Sequence, residues 1–185
     1  MNFFEELTST HRLSFSPGKI TLLGQRELIT SANFFAEYSM RLNGDPQRFR
    51  ELYEAAKESY RNGTAVTIGK REAISRDDML KWMTDLAVIS GWGQLKWLEF
   101  DREKMVGAIL IEDLPISGLL KGKVKGCVDH IARGFIAGGA SALLGADIDV
   151  VEEECVATGA AACKFLFMPK EKFKATAEAK RQLGI

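Results

Sequence analysis

Three cysteines crowd the last third of the chain, at Cys127, Cys155 and Cys163, and none occurs in the first 126 residues. Thiolate sulfur is a soft ligand that selects zinc or an iron–sulfur centre over magnesium or calcium. An odd count, in a chain whose start shows no export signal, speaks against a disulfide framework. Cys155 and Cys163 enclose seven residues that include Gly159. That spacing lets two thiols face each other from neighbouring strands across a turn. Cys127, near the start of the preceding helical stretch, is placed to reach the same point. Tetrahedral zinc takes four ligands, at about 2.3 Å to sulfur and about 2.0–2.2 Å to nitrogen or oxygen. Three cysteines leave one place to fill.

Two residues compete for it. Glu152 closes the shell with a carboxylate, but it stands three residues before Cys155. An unbroken strand puts such a pair on opposite faces, so both bind only if the strand bends or ends between them. His130 lies three residues after Cys127 and shares its helical face. The histidine would also leave the site less negative. Free cysteines acting as small core hydrophobes are the alternative to any metal.

The elements that must position these residues follow from turn and periodicity signals. Stretches 11–16 and 19–24 flank a Ser16-Pro17-Gly18 turn and predict a β-hairpin. Residues 28–42 read as a helix stopped by Asn43-Gly44, with Asp45 as the next N-cap and Pro46 in its first turn. A helix over 47–62 buries Phe49, Leu52, Tyr53 and Ala56, and Ser75, Asp77 and Asp78 start another that runs to Gly91. Residues 93–101 and 104–112 form a second hairpin, and 124–144 reads as a helix stopped by Gly145. Strands over 148–154 and 163–167 and a charged terminal helix over 170–183 complete the series. Hairpins interleaved with helices imply an α+β fold, an antiparallel sheet with helices packed against it, in one domain spanning 1–185.

Lys plus Arg and Asp plus Glu each number 25, so the formal charge is zero and there is no bulk field for nucleic acid. No apolar run approaches the roughly 20 residues of a membrane helix. A cytoplasmic location without direct nucleic-acid contact or membrane span is the expectation. Trp82, Trp92 and Trp97 fall within sixteen residues. Trp92, Trp97, Phe100 and Phe135 together could line an apolar pocket, against which stands plain core packing. Gly134, Gly138 and Ala142 repeat along one helical face, and glycine inside a helix costs about 1 kcal/mol against alanine. A smooth stripe of this kind permits close approach, by the chain's own sheet before a homodimer seam.

The pattern Cys127, Gly134-Phe135, Gly138, Glu152-x-x-Cys155, Thr158-Gly159 and Cys163-x-Phe165 resembles the 4-vinyl reductase domain. The likeness is strongest over 127–167 and extends more weakly back to 19–26. The family includes the sensing domains of aromatic-responsive activators and proteins called hydrocarbon-binding. Subunits of a vesicle-tethering complex and haem-based nitric oxide sensors belong to its wider superfamily. The resemblance implies a zinc site of three cysteines and one glutamate, falling on Cys127, Glu152, Cys155 and Cys163. It also implies a small hydrophobic or aromatic ligand. Neither His11 nor His130 sits in a pattern like the haem sensors' ligand.

Three functions stand as expectations. One is a zinc-containing module that senses or carries a small hydrophobic molecule. A second is a reductase acting on a tetrapyrrole vinyl group, and a third is an assembly or scaffold subunit. The chain carries no Gly-x-Gly-x-x-Gly fingerprint, no iron–sulfur cysteine run and no Gly-x-x-x-x-Gly-Lys-Ser/Thr loop. A closed shell of four protein ligands also leaves no place for substrate. Binding is favoured over catalysis.

Overall fold

A computed structural model describes residues 3–65 and 76–185. Helix α1 (Phe3–Ser9) leads into β1 (Leu13–Ser16), which turns through Pro17-Gly18 into β2 (Lys19–Leu22) with Ser16 opposite Lys19. A third short strand, β3 (Gln25–Glu27), extends the hairpin into a meander. Helix α2 (Ala32–Leu42) starts later than 28 because Ser31, in extended backbone, accepts a hydrogen bond from the Asn33 N–H. Leu28 and Ile29 consequently lie outside it, exposed. Asp45 caps α3 (Pro46–Tyr60) through the Gln47 and Arg48 N–H groups, with Pro46 where its missing N–H costs nothing. Phe49, Tyr53 and Ala56 are buried, and Leu52 is half-buried. A π-helical turn (Arg61–Ala65) ends this segment. The expected Ser75 helix start lies outside the described residues, and α4 spans Arg76–Ile89.

The main sheet is built from β4 (Gln94–Asp101), β5 (Val106–Glu112), β6 (Asp149–Glu154) and β7 (Cys163–Met168), in the order β4-β5-β7-β6 and antiparallel throughout. The α+β expectation therefore holds. Register fixes what shares its inner face. Leu95, Ile111 and Cys163 form one row, and Trp97, Ile109, Phe165 and Glu152 the next. Phe100, Gly107, Phe167 and Val150 form a third. A Cβ on Gly107 would overlap the Phe167 ring, which explains a glycine in a central strand.

Between β5 and β6 lie the short helix α5 (Pro115–Leu119) and the longer α6 (His130–Leu144). The expected helix over 124–144 thus begins six residues late. Gly126, at φ +85°, adopts a left-handed conformation that a right-handed helix cannot include, so Cys127 belongs to the loop ahead of α6. The glycine stripe of α6 faces α3 instead of the sheet. A Cβ on Gly134 would stand 2.5 Å from the Ala56 Cβ and 2.6 Å from the Tyr53 carbonyl oxygen. The terminal helix is also shorter than 170–183. A 3-10 turn (Lys170–Lys172) gives way to extended Phe173, and the Thr176 hydroxyl caps a new helix, α7 (Ala177–Leu183), at the Ala179 N–H.

Strand β6 lies at the edge of the sheet, and its outward backbone groups are met by side chains. The Tyr53 hydroxyl accepts from the Val150 N–H at 3.1 Å, and Arg133 donates to the Val150 carbonyl through Nε and Nη2 at 3.0 and 2.8 Å. Gln182 imitates a strand residue, its Oε1 accepting from the Glu152 N–H at 2.9 Å and its Nε2 donating to the Glu152 carbonyl at 2.8 Å. Three helices thus satisfy a buried edge.

Candidate metal centre and aromatic lining

Asp129, Glu152, Cys155 and Cys163 meet behind the end of β6, one donor atom from each lying within 4.8 Å of the others, all four buried. The strand solves the spacing problem between Glu152 and Cys155. Glu152 pairs with Phe165 but Glu154 with Lys164, so a bulge at Glu153 resets the alternation, and the strand ends at Glu154. Glu152 and Cys155 then face the same interior. Cys155 opens a 3-10 turn (Val156–Thr158) that carries the chain back into β7 and Cys163.

Hydrogen bonds fix the groups. The Asp129 N–H donates to Glu152 Oε2 at 3.2 Å, and Asp129 Oδ2 accepts from the Cys155 and Cys163 thiols at 3.6 and 3.4 Å. Cys163 Sγ also accepts from the Val156 N–H at 3.3 Å and lies 3.2 Å from the Ser117 hydroxyl. Cys127 sits beside the four, its thiol donating to the Glu152 carbonyl at 3.3 Å. Asp129 Oδ1 and Glu152 Oε1 are buried and have no hydrogen-bond partner.

Burial pushes the Glu152 carboxyl well above the ordinary carboxylate range, with the neighbouring Asp129 adding to it. Burial also raises Asp129, against hydrogen bonds that act to lower it. The Cys155 thiol is raised chiefly by its hydrogen bond with Cys127, and the Cys163 thiol by its hydrogen bond with Cys155. Four acidic groups therefore hold their protons in a dry site, and a divalent cation is what would reverse that. Two thiols and two carboxylates, with two carboxylate oxygens unpartnered, form a donor set that fits a metal ion such as zinc.

The sequence-derived quartet is thus partly reassembled: Glu152, Cys155 and Cys163 meet, Cys127 flanks them, and Asp129 joins. Asp129 escaped sequence reading because a helix starting at 124 places it mid-helix, whereas it is the N-cap of α6. The rival His130 is turned away. Its ring stacks on Phe49 with centroids 4.2 Å apart, and its Nδ1 lies 3.1 Å from the Arg133 guanidinium. Burial first, then Arg133, holds His130 well below its usual pKa, so it is neutral.

The aromatic residues form two contacts on the inner face. Trp92 packs edge-on against Phe135 at 5.1 Å. Trp97 meets Phe100 at 5.8 Å and Phe167 at 6.1 Å, while its indole N–H donates to the Thr84 hydroxyl of α4 at 3.0 Å. Trp82 belongs elsewhere, packing with Leu7, Leu23 and Leu86. One sheet face therefore carries Trp97, Phe100 and Phe167 together with Glu152 and Cys163.

Residues 117–169 match the 4-vinyl reductase domain family. That segment runs from α5 through the metal cluster to the end of β7. The fold is similar to the phenol-responsive sensory domain of the transcription activator PoxR, solved with phenol, at TM-score 0.79 and 22% identity, covering 99% of this chain and 96% of that one. A vinyl-4-reductase family protein from Methanocaldococcus jannaschii matches at TM-score 0.50 and 16% identity, covering 76% of this chain and 82% of that one. A trafficking protein particle complex subunit 3 from Naegleria fowleri, covalently bound to palmitic acid, matches at 0.55 and 10%, over 74% and 91%. No curated protein matches the sequence. Among the described residues no helix is long and apolar enough to cross a membrane.

Proposed function

We propose that this chain is a sensory or carrier module that binds a small hydrophobic or aromatic molecule and is stabilised by a structural zinc ion. The observation that carries the reading is the shared sheet face, with an aromatic group at one end and a buried two-thiol, two-carboxylate cluster at the other. The family match over the metal-bearing segment and the near-complete overlap with a phenol-responsive domain support it. Glu152, Cys155 and Cys163 hold the zinc, and the fourth place lies between Cys127, which the family resemblance implies, and Asp129. The ion supplies charge and cross-linking, tying the α6 loop to the β6–β7 hairpin. Trp92, Trp97, Phe100 and Phe135 line the ligand site, where apolar area supplies most of the affinity.

A panel of phenols, small arenes and fatty acids, titrated against tryptophan fluorescence and melting temperature, tests the reading. At least one ligand class should shift both. Trp97→Ala should weaken that ligand about tenfold or more, whereas Trp82→Ala should leave its affinity nearly unchanged. A panel that moves neither signal, or metal analysis without stoichiometric zinc, would overturn the corresponding half of the proposal.

A further inference from the structure

The zinc reading leaves the fourth metal ligand open, and its assignment rests on that reading. The geometry points to Asp129, not Cys127, as the residue that completes the site, making it a centre of two thiolates and two carboxylates.

Asp129 occupies the N-cap of α6, where an aspartate ordinarily accepts from the first helical N–H groups, yet its side chain makes no capping bond. The carboxylate turns inward instead. Oδ2 lies 3.6 Å from the Cys155 thiol and 3.4 Å from that of Cys163, and Oδ1 is buried without a partner. Ligands at about 2.0–2.3 Å from a tetrahedral centre stand roughly 3.3–3.8 Å apart. The donors of Asp129, Glu152, Cys155 and Cys163, all within 4.8 Å of one another, need contract by only about an ångström. The Cys127 thiol is directed at the Glu152 carbonyl and is not one of the four.

Charge leads to the same assignment. Once Cys155 and Cys163 bind a metal they are thiolates, and Asp129 Oδ2 sits against both. An uncoordinated carboxylate there would be a buried anion facing two anions, without solvent to relieve it. Coordination turns that repulsion into a bond. Carboxylate is harder than thiolate, so the site also accepts cobalt(II) without the strong preference for soft ions that three thiolates impose.

Cobalt(II) loaded into the full chain provides the test, since sulfur-to-cobalt charge-transfer absorption scales with the number of thiolates bound. Cys127→Ser should keep one cobalt per chain and an unchanged charge-transfer band. Asp129→Asn should lower cobalt and zinc affinity at least about tenfold. X-ray absorption of the zinc-loaded wild type needs no variant and should count two sulfur neighbours. Three sulfurs, or a band that falls by about a third in Cys127→Ser, would overturn the assignment while leaving the zinc reading intact. A wild-type chain that binds neither metal would overturn both.

Discussion

Two carboxylate oxygens without partners are the most informative atoms in this molecule, because a buried acceptor left unmet costs about 1–3 kcal/mol. Asp129 Oδ1 and Glu152 Oε1 face one interior point, and a metal ion at that point relieves both. Glu152→Gln keeps the shape and removes the charge. It should release zinc at concentrations where the wild type holds it, as measured by competition with a chromophoric chelator. A second residue-scale expectation concerns Tyr60, whose burial raises its phenol to about 12. In the unfolded chain that phenol ionises near 10. Between those values the unfolded state releases its proton first, so stability is full below about pH 10. It falls by up to about 3 kcal/mol as pH rises toward 12. Urea unfolding across that range should show the decline, and Tyr60→Phe should flatten its share.

At the scale of elements, what the sequence disclosed depended on whether the signal was local. The hairpins, the Asp45–Pro46 helix start and the Gly145 stop were legible because each rests on turn or capping chemistry within a few residues. The start of α6 was not, since apolar periodicity runs through 124–129 and only a left-handed Gly126 interrupts it. That misplacement hid Asp129. The bulge at Glu153 was required by the spacing of Glu152 and Cys155, although nothing in the residues said which resolution the strand would take. The glycines of α6 announced a close neighbour without naming it, because partner choice between α3 and the sheet is a long-range matter. Gly134→Ala should cost about 1–3 kcal/mol, as overpacking against Ala56 and the Tyr53 carbonyl demands. Denaturant midpoints of the variant and wild type would measure it.

For the molecule as a whole, the metal cluster joins segments remote in sequence: the loop before α6, the end of β6 and the start of β7. The C-terminal helix adds a second clasp on the same place. Arg181 donates to the Cys127 carbonyl at 2.9 Å, and Gln182 grips Glu152 from both backbone sides. Removing the metal with a strong chelator should therefore lower the melting temperature on the order of 10 °C. Hydrogen exchange should quicken first in 127–129 and 152–163. Gln182 carries no sequence signal of this role, since a polar residue in a charged terminal helix reads as solvated.

The edge of a sheet is a template on which another chain can continue the ladder. On β6 that template is masked by Tyr53, Arg133 and Gln182, not by a neighbouring strand, and the mask over Glu152 comes from a helix of seven residues near the end of the chain. Detaching that helix bares a paired donor and acceptor on the strand that bears a metal ligand. Gln182→Ala, or truncation before Ala177, should turn a well-behaved protein into one that recruits its own copies strand to strand. Light scattering that rises with protein concentration, together with thioflavin fluorescence absent from the intact chain, would register the change.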